Sequence, residues 1–239
     1  MSEPSTPPLA TPPVSPPLPT LSTAQMREVD RIMIDELGIT LVQMMENAGR
    51  NLADLAISRY QPASCTVLAG PGGNGGGGLV AARHLANRGV DVAVTLSAPA
   101  AMTEVPAHQL GILERMGVAV DDEPARDALV LDAVLGYSLE GDPRGRAAEL
   151  IAWANDGAAP VLALDTPSGL DLTSGRVGDP CVVADATLTL ALPKRGLARA
   201  PEVVGALYAA DIAVPPAVYA RLGLPIDAPF AAGTVLRLP

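Results

Sequence analysis

Thr66-Val67-Leu68-Ala69-Gly70-Pro71-Gly72-Gly73-Asn74-Gly75-Gly76-Gly77-Gly78-Leu79-Val80-Ala81-Ala82-Arg83-His84-Leu85-Ala86 contains a β-branched run, a glycine loop and a helical pattern, in that order. The spacing predicts a strand over 65–69, a loop over 70–78 and a helix over 78–88. Glycines let a backbone approach a ligand closely, and a helix N-terminus presents unpaired N–H groups to negative charge. The stretch therefore reads as a cradle for an anion, most simply a phosphate.

Outward from this unit, strands and helices alternate. Further strands are expected near 91–96, 117–120, 128–132, 160–165, 185–190 and 206–211, with helices near 106–116, 144–156 and 215–222. Such alternation implies an α/β domain with a mainly parallel sheet covered on both faces. In these sheets ligands sit at the carboxyl ends of the strands. Two helices precede the first strand, one starting at Ser22-Thr23 and one running from Thr40 to Tyr60. Met44, Met45, Ala48, Leu52 and Leu55 recur on the second at helical spacing, which reads as core or subunit interface. Residues 1–20 carry eight prolines and read as a disordered, proline-rich tail. Residues 21–239 read as a single domain.

Composition narrows the function classes. The formal net charge of −10 argues against nucleic-acid binding. No apolar run of membrane-spanning length and no leader pattern is present, so a cytoplasmic protein is expected. Cys65 and Cys181 have neither disulfide-framework nor metal-ligand spacing. His84 and His108 lack partners at ligand spacing and read as structural or surface residues. Lys194 is the single lysine among sixteen basic residues. Lysine can give up its proton when buried, whereas arginine cannot.

Three predicted strand ends carry polar residues: Asp132 after 128–132, Asp165-Thr166-Pro167-Ser168-Gly169 after 160–165, and Pro193-Lys194-Arg195-Gly196 after 185–190. Asp132, Asp165 and Ser168 fit either turn caps or groups facing a cleft. Gly70, Gly72 and Gly75 spell a dinucleotide-binding pattern, but the second strand ends Val94-Thr95-Leu96-Ser97-Ala98 without the acidic residue that pattern requires. No Lys-Ser or Lys-Thr follows the glycines, which excludes a P-loop.

Taken together these motifs resemble the NAD(P)H-hydrate epimerases, including the N-terminal domain of bifunctional nicotinamide-nucleotide repair enzymes. The resemblance rests on Met45-Glu46-Asn47-Ala48-Gly49-Arg50, the glycine loop, Asp132-Ala133-Val134-Leu135-Gly136 and Gly141-Asp142-Pro143-Arg144-Gly145. It continues through Asp165-Thr166-Pro167-Ser168-Gly169-Leu170, Ala184-Asp185-Ala186-Thr187, Pro193-Lys194-Arg195-Gly196-Leu197 and Ala210-Asp211-Ile212. Where the family reads Gly-x-Gly-Asn-Asn-Gly-Gly-Asp-Gly, this loop has glycine at Gly73 and Gly77. The resemblance implies a Rossmann-like three-layer α/β/α fold. It also implies epimerisation of hydrated NADH and NADPH, in which the C6 hydroxyl of the reduced ring leaves and water returns from the other face. Asp165 and Lys194 would share the proton transfers. Gly73, Asn74, Gly75, Gly76, Gly77, Gly136, Tyr137, Ser138, Leu139, Glu140, Gly141, Asp142 and Asp165 would bind the substrate. Asn74, Asp132 and Ser168 would hold a potassium ion. A homodimer and a separate NAD(P)H-hydrate dehydratase acting on the product are further implications. The alternative is a catalytically silent nucleotide-binding or scaffold protein of the same fold.

Overall fold

The computed structural model describes residues 11–12, 17–125, 127–139 and 141–239. Eight strands form one sheet: β1 (Ser64–Ala69), β2 (Asp91–Leu96), β3 (Ala119–Val120), β4 (Val130–Ala133), β5 (Val161–Leu164), β6 (Ala186–Leu190), β7 (Ala206–Ala210) and β8 (Val235–Arg237). Their order is β3-β2-β1-β4-β5-β6-β7-β8. Every pairing is parallel except β7 with β8. The antiparallel edge strand β8 was not expected. It is three residues long and carries no periodicity to read.

The helices are α1 (Thr23–Arg31), α2 (Leu41–Tyr60), α3 (Gly73–Ala86), α4 (Glu104–Met116), α5 (Gly145–Asn155), α6 (Pro201–Val204) and α7 (Pro216–Arg221). The first two start at reciprocal caps. Ser22 Oγ accepts from Gln25 N at 3.1 Å while Gln25 Oε1 accepts from Ser22 N at 2.9 Å, and Thr40 pairs with Gln43 in the same way. Each cap satisfies two amides that a helix start leaves without partners.

Alternation along the strands sorts side chains into two layers. Val67, Ala69, Leu131 and Ala133 join α2 and α3 in one core, whereas Leu68 and Val130 join α5 in another. This is the expected three-layer α/β/α arrangement. A third cluster joins α1 and α7 to Ala191, Leu192 and Ile212, beyond the strand ends. There the chain entering α1 is tied down by Leu21, whose N–H donates to Pro193 O at 2.8 Å and whose carbonyl accepts from Arg195 N at 3.0 Å.

The glycine run departs from the loop reading. Helix α3 begins at Gly73, so Gly75 to Gly78 are helical. A Cβ on Gly75 would lie 1.8 Å from Gly70 O, and one on Gly78 would lie 2.5 Å from Ala133 Cβ. Close approach of the helix to β4 and to the turn after β1 overrides glycine's poor helix propensity. As for the proline-rich tail, most of residues 1–16 lies outside the described residues. Of those described, Pro12 O accepts from Arg237 N at 3.2 Å and Leu18 packs against the α1–α7 cluster.

Candidate active site

The sheet order reverses between β1 and β4, so the segments leaving those two strands diverge and open a crevice. A cavity of about 400 Å³ lies there, walled by the segments that follow β1, β4, β5 and β6 and covered by α1 and α2. Its walls are largely apolar. Met26, Leu41, Met44, Met45, Leu135, Leu164, Leu190 and Ile212 all contribute. Met44 and Met45 therefore face this cavity from within the fold and are buried there. At one end of the cavity stands the N-terminus of α3. Its first helical hydrogen bond runs from Gly76 N to Gly72 O at 3.0 Å, which leaves the amides of Gly73, Asn74 and Gly75 without helical acceptors. An anion is favoured at such a position.

Two strand-end side chains meet in the cavity. Asp165 follows β5 with a backbone φ of +65°, a left-handed conformation that costs a non-glycine residue about 1 kcal/mol or more. Lys194 follows β6. Its Nζ donates to Asp165 Oδ1, to Leu190 O at 2.8 Å and to Thr189 Oγ1 at 3.2 Å. The two side chains are 4% and 0% exposed, so the pair is sealed from bulk water on all but its cavity side. All three ammonium hydrogens have acceptors. The chain's one lysine thus stands at the site, where a compact donor of three hydrogen bonds is used.

Asp132 does not join them. It lies within β4, and its carboxylate accepts from Ser168 N at 2.7 Å, Ser168 Oγ at 2.6 Å and Val134 N at 3.2 Å. Burial pushes its carboxyl up to about 6, against the pull of these hydrogen bonds. Ser168 Oγ in turn accepts from Leu135 N at 2.8 Å, and Asn74 Nδ2 donates to Leu135 O at 3.0 Å. Asn74, Asp132 and Ser168 are therefore linked through Leu135. Asn74 Oδ1 is buried and has no donor facing it. The cluster offers oxygen ligands only.

A second carboxylate was missed by sequence reasoning. Asp30 on α1 lines the cavity, and Tyr137 Oη donates to its Oδ2 at 2.6 Å. Burial raises the Asp30 carboxyl above the ordinary range, Tyr137 and Lys194 oppose the rise, and Asp165 adds to it. In sequence Asp30 is one acid among several on a helix, and its partner stands 107 positions away.

Of the residues expected to bind substrate, Gly73, Asn74, Gly77, Gly136, Tyr137, Ser138 and Asp165 line the cavity. Gly75 and Gly76 lie behind them, buried in α3. Leu139, Gly141 and Asp142 lie outside the lining. Leu139 N closes a turn on Gly136 O at 3.3 Å. Asp142 is half-exposed and paired with Arg176 at 2.7 Å. Glu140 lies outside the described residues. His84 pairs with Glu46 at 2.8 Å beside Arg83, bridging α2 and α3, and His108 is exposed.

With this geometry in hand, residues 41–196 match the family described as YjeF-related protein N-terminus. The chain is 48% identical over 222 residues to the NAD(P)H-hydrate epimerase of Dehalogenimonas lykanthroporepellens, covering 89% of this chain and 90% of that protein. The chain belongs to this family. Another relative is the NAD(P)H-hydrate epimerase of Truepera radiovictrix, 38% identical over 87% of this chain and 97% of that protein. The bifunctional NAD(P)H-hydrate repair enzyme of Salinibacter ruber is 37% identical over 85% of this chain, which spans 42% of that protein. The crystal structure of the yeast protein YNL200c shares the fold. It superposes with a TM-score of 0.80 at 24% identity, covering 92% of this chain and 100% of that one. The YjeF-related match contains the glycine helix, Asp132, Asp165, Ser168 and Lys194, while Asp30 lies before its first residue. Among the described residues, no helix is long and apolar enough to cross a membrane.

Proposed function

We propose that this chain is an NAD(P)H-hydrate epimerase, interconverting the R and S hydrates of NADH and NADPH in nicotinamide cofactor repair. The observation that carries the mechanism is the buried Asp165–Lys194 pair opening into an apolar cavity headed by the N-terminus of α3. The substrate pyrophosphate binds the amides of Gly73, Asn74 and Gly75, and the reduced, hydrated ring lies between α1–α2 and the strand ends. C6 of that ring is a hemiaminal carbon. Its C–O bond breaks with the electron pair going to oxygen, a proton completes the leaving water, and the ring nitrogen's electrons stabilise the cation that remains. Water then adds to the opposite face and gives up a proton. Asp165 and Lys194 share this acid–base work at the C6 oxygen. The methionine and leucine walls exclude bulk water, which strengthens each of these interactions.

A potassium ion belongs to this reading. Asn74, Asp132 and Ser168 fit it: their donors are the hard oxygens such a cation prefers, Asn74 Oδ1 is buried without a partner, and Asp132 is a fully buried carboxylate. When bound, the ion supplies positive charge beside the substrate's phosphates. Homodimerisation through the exposed Ile34, Leu37 and Val42 is also part of the reading, and sedimentation velocity tests it. So is hand-over of the S hydrate to an NAD(P)H-hydrate dehydratase. The two buried free thiols, Cys65 and Cys181, suit a reducing, cytoplasmic compartment.

The test mixes the full chain with the R hydrate of NADH in potassium buffer, adds an S-specific dehydratase, and follows recovery of NADH absorbance against the spontaneous rate. Acceleration by the wild type, lost by about 100-fold or more in Asp165→Asn, is the expected result. No acceleration, with dinucleotide binding intact, favours the silent scaffold.

A further inference from the structure

An epimerase that moves a hydroxyl between the two faces of a planar ring faces a constraint of microscopic reversibility. The group that protonates a hydroxyl leaving one face is the group that deprotonates water adding to that same face. One acid–base group alone gives oxygen exchange with retention, unless the ring turns over in the site. A ring whose pyrophosphate is anchored at the N-terminus of α3 is tethered at one end, and turning it over would mean withdrawing it from between α1–α2 and the strand ends. Each face then needs its own proton-transfer group.

Among the described residues lining the cavity there are two carboxylates, Asp30 and Asp165, and they come from different walls. Asp165, with Lys194, is carried on the strand ends. Asp30 is carried on α1, which closes over those ends through Met26 and Val29 packed on Ala191, Leu192 and Ile212. Asp30 is oriented by the Tyr137 hydroxyl at 2.6 Å, and Tyr137 itself lines the cavity. We infer that Asp30, positioned by Tyr137, is the proton-transfer group for the face of the nicotinamide ring opposite the one served by Asp165 and Lys194. This rests on the epimerase reading and specifies how its site is divided.

The step balances. Protonated Asp30 gives its proton to the C6 hydroxyl, and the C–O bond breaks to release water on the α1 side. The ring nitrogen's lone pair forms the iminium. Water on the strand-end side adds to C6, and its proton passes to the Asp165–Lys194 pair. One water leaves and one enters, one proton moves from Asp30 to the pair, and the reverse reaction returns it. No oxidant or reductant takes part. Burial raises the Asp30 carboxyl, in keeping with an acid that holds its proton, while Tyr137 and Lys194 pull it down.

The experiment measures two rates on each purified hydrate of NADH, in water enriched in oxygen-18 and with the full chain. One is inversion, read through the S-specific dehydratase. The other is incorporation of solvent oxygen at C6 without inversion, read by mass spectrometry of the separated epimers. The wild type is expected to invert, and to exchange oxygen in both epimers. Asp30→Asn should lose inversion by about 100-fold or more, yet leave exchange within about threefold of wild type in one epimer alone. Asp30→Glu should restore part of the inversion. Tyr137→Phe should show the same split with a smaller loss, and it serves if Asp30→Asn does not fold. A purely structural role for Asp30 would depress both exchange reactions together, and that result overturns the inference. Inversion retained within about threefold in Asp30→Asn also overturns it. A wild type that accelerates neither process refutes the epimerase reading, and the inference falls with it.

Discussion

Replacing Lys194 by Met removes an ammonium while keeping an unbranched stem of similar length. In the folded chain that ammonium is 0% exposed and satisfies Asp165 Oδ1, Leu190 O and Thr189 Oγ1. Without it Asp165 remains buried, with only Leu190 N at 3.2 Å and Thr189 Oγ1 at 3.4 Å beside its Oδ1. Deleting one partner of a buried ion pair costs about 3–5 kcal/mol, because the other charge is left without compensation. The exposed pair Arg176–Asp142, each side chain 48% exposed, should cost under about 1 kcal/mol when broken the same way. Removing both buried charges, as in Lys194→Met with Asp165→Asn, should recover most of the loss. Urea unfolding reads this directly, as a lower midpoint with an unchanged slope. The melting temperature of the single variant should fall by about 6–20 °C, taking about 2–4 °C per kcal/mol for a chain of this size. A loss under about 1 kcal/mol, or a double variant whose loss equals the sum of the singles, would show that the pair is hydrated and uncoupled, and would refute the argument.

Three further predictions concern the glycine helix, Asp30 and the cation. Gly75→Ala should prevent stable folding or cost several kcal/mol, since its Cβ meets backbone at 1.8 Å, whereas Gly73→Ala, with only Met45 Cε at 3.8 Å, should be neutral or stabilising by about 0.5–1 kcal/mol; thermal melts of the two distinguish them. Asp30 is harder to ionise in the folded chain than in the unfolded one, so its contribution to stability is full below the ordinary carboxylate pKa of about 4 and fades as pH rises past its raised value. Asp30→Asn should therefore match the wild type at low pH and exceed it in unfolding free energy near pH 8. Tyr137, Lys194 and Asp165 face this group, and a flat difference across pH would contradict the assignment. Exchanging potassium for choline should lower the melting temperature of the wild type, and Asn74→Ala should abolish that shift; a shift unchanged in the variant would place the cation elsewhere.

The sheet was largely legible because parallel strands buried on both faces read as continuous apolar runs, and Val67 to Ala69, Leu129 to Leu131 and Val161 to Leu164 are such runs. The strand-end rule then brought Asp165 and Lys194 together, and their contact is what the fold places there. Where local propensity and tertiary contact disagree, sequence misled. Gly73 to Gly78 read as loop because glycine disfavours helix, yet α3 lies so close to β4 that only small residues fit. Asp132 read as either a turn cap or a group facing a cleft, and it caps Val134 N, while its second partner, Ser168, stands 36 positions on where no local pattern shows it. Asp30 gave no local cue at all, since only tertiary folding brings Tyr137 to it.

Lys194 carries a practical consequence as well. The chain's one ε-amine is held by Asp165, Thr189 and the Leu190 carbonyl, so an amine-acylating reagent meets no lysine on the outer surface. Modification at this position, read by peptide mass, requires a reagent to enter the cavity and displace these three contacts. The rate of that reaction therefore reports access to one cavity alone, and dinucleotide binding should be visible as a slower clock.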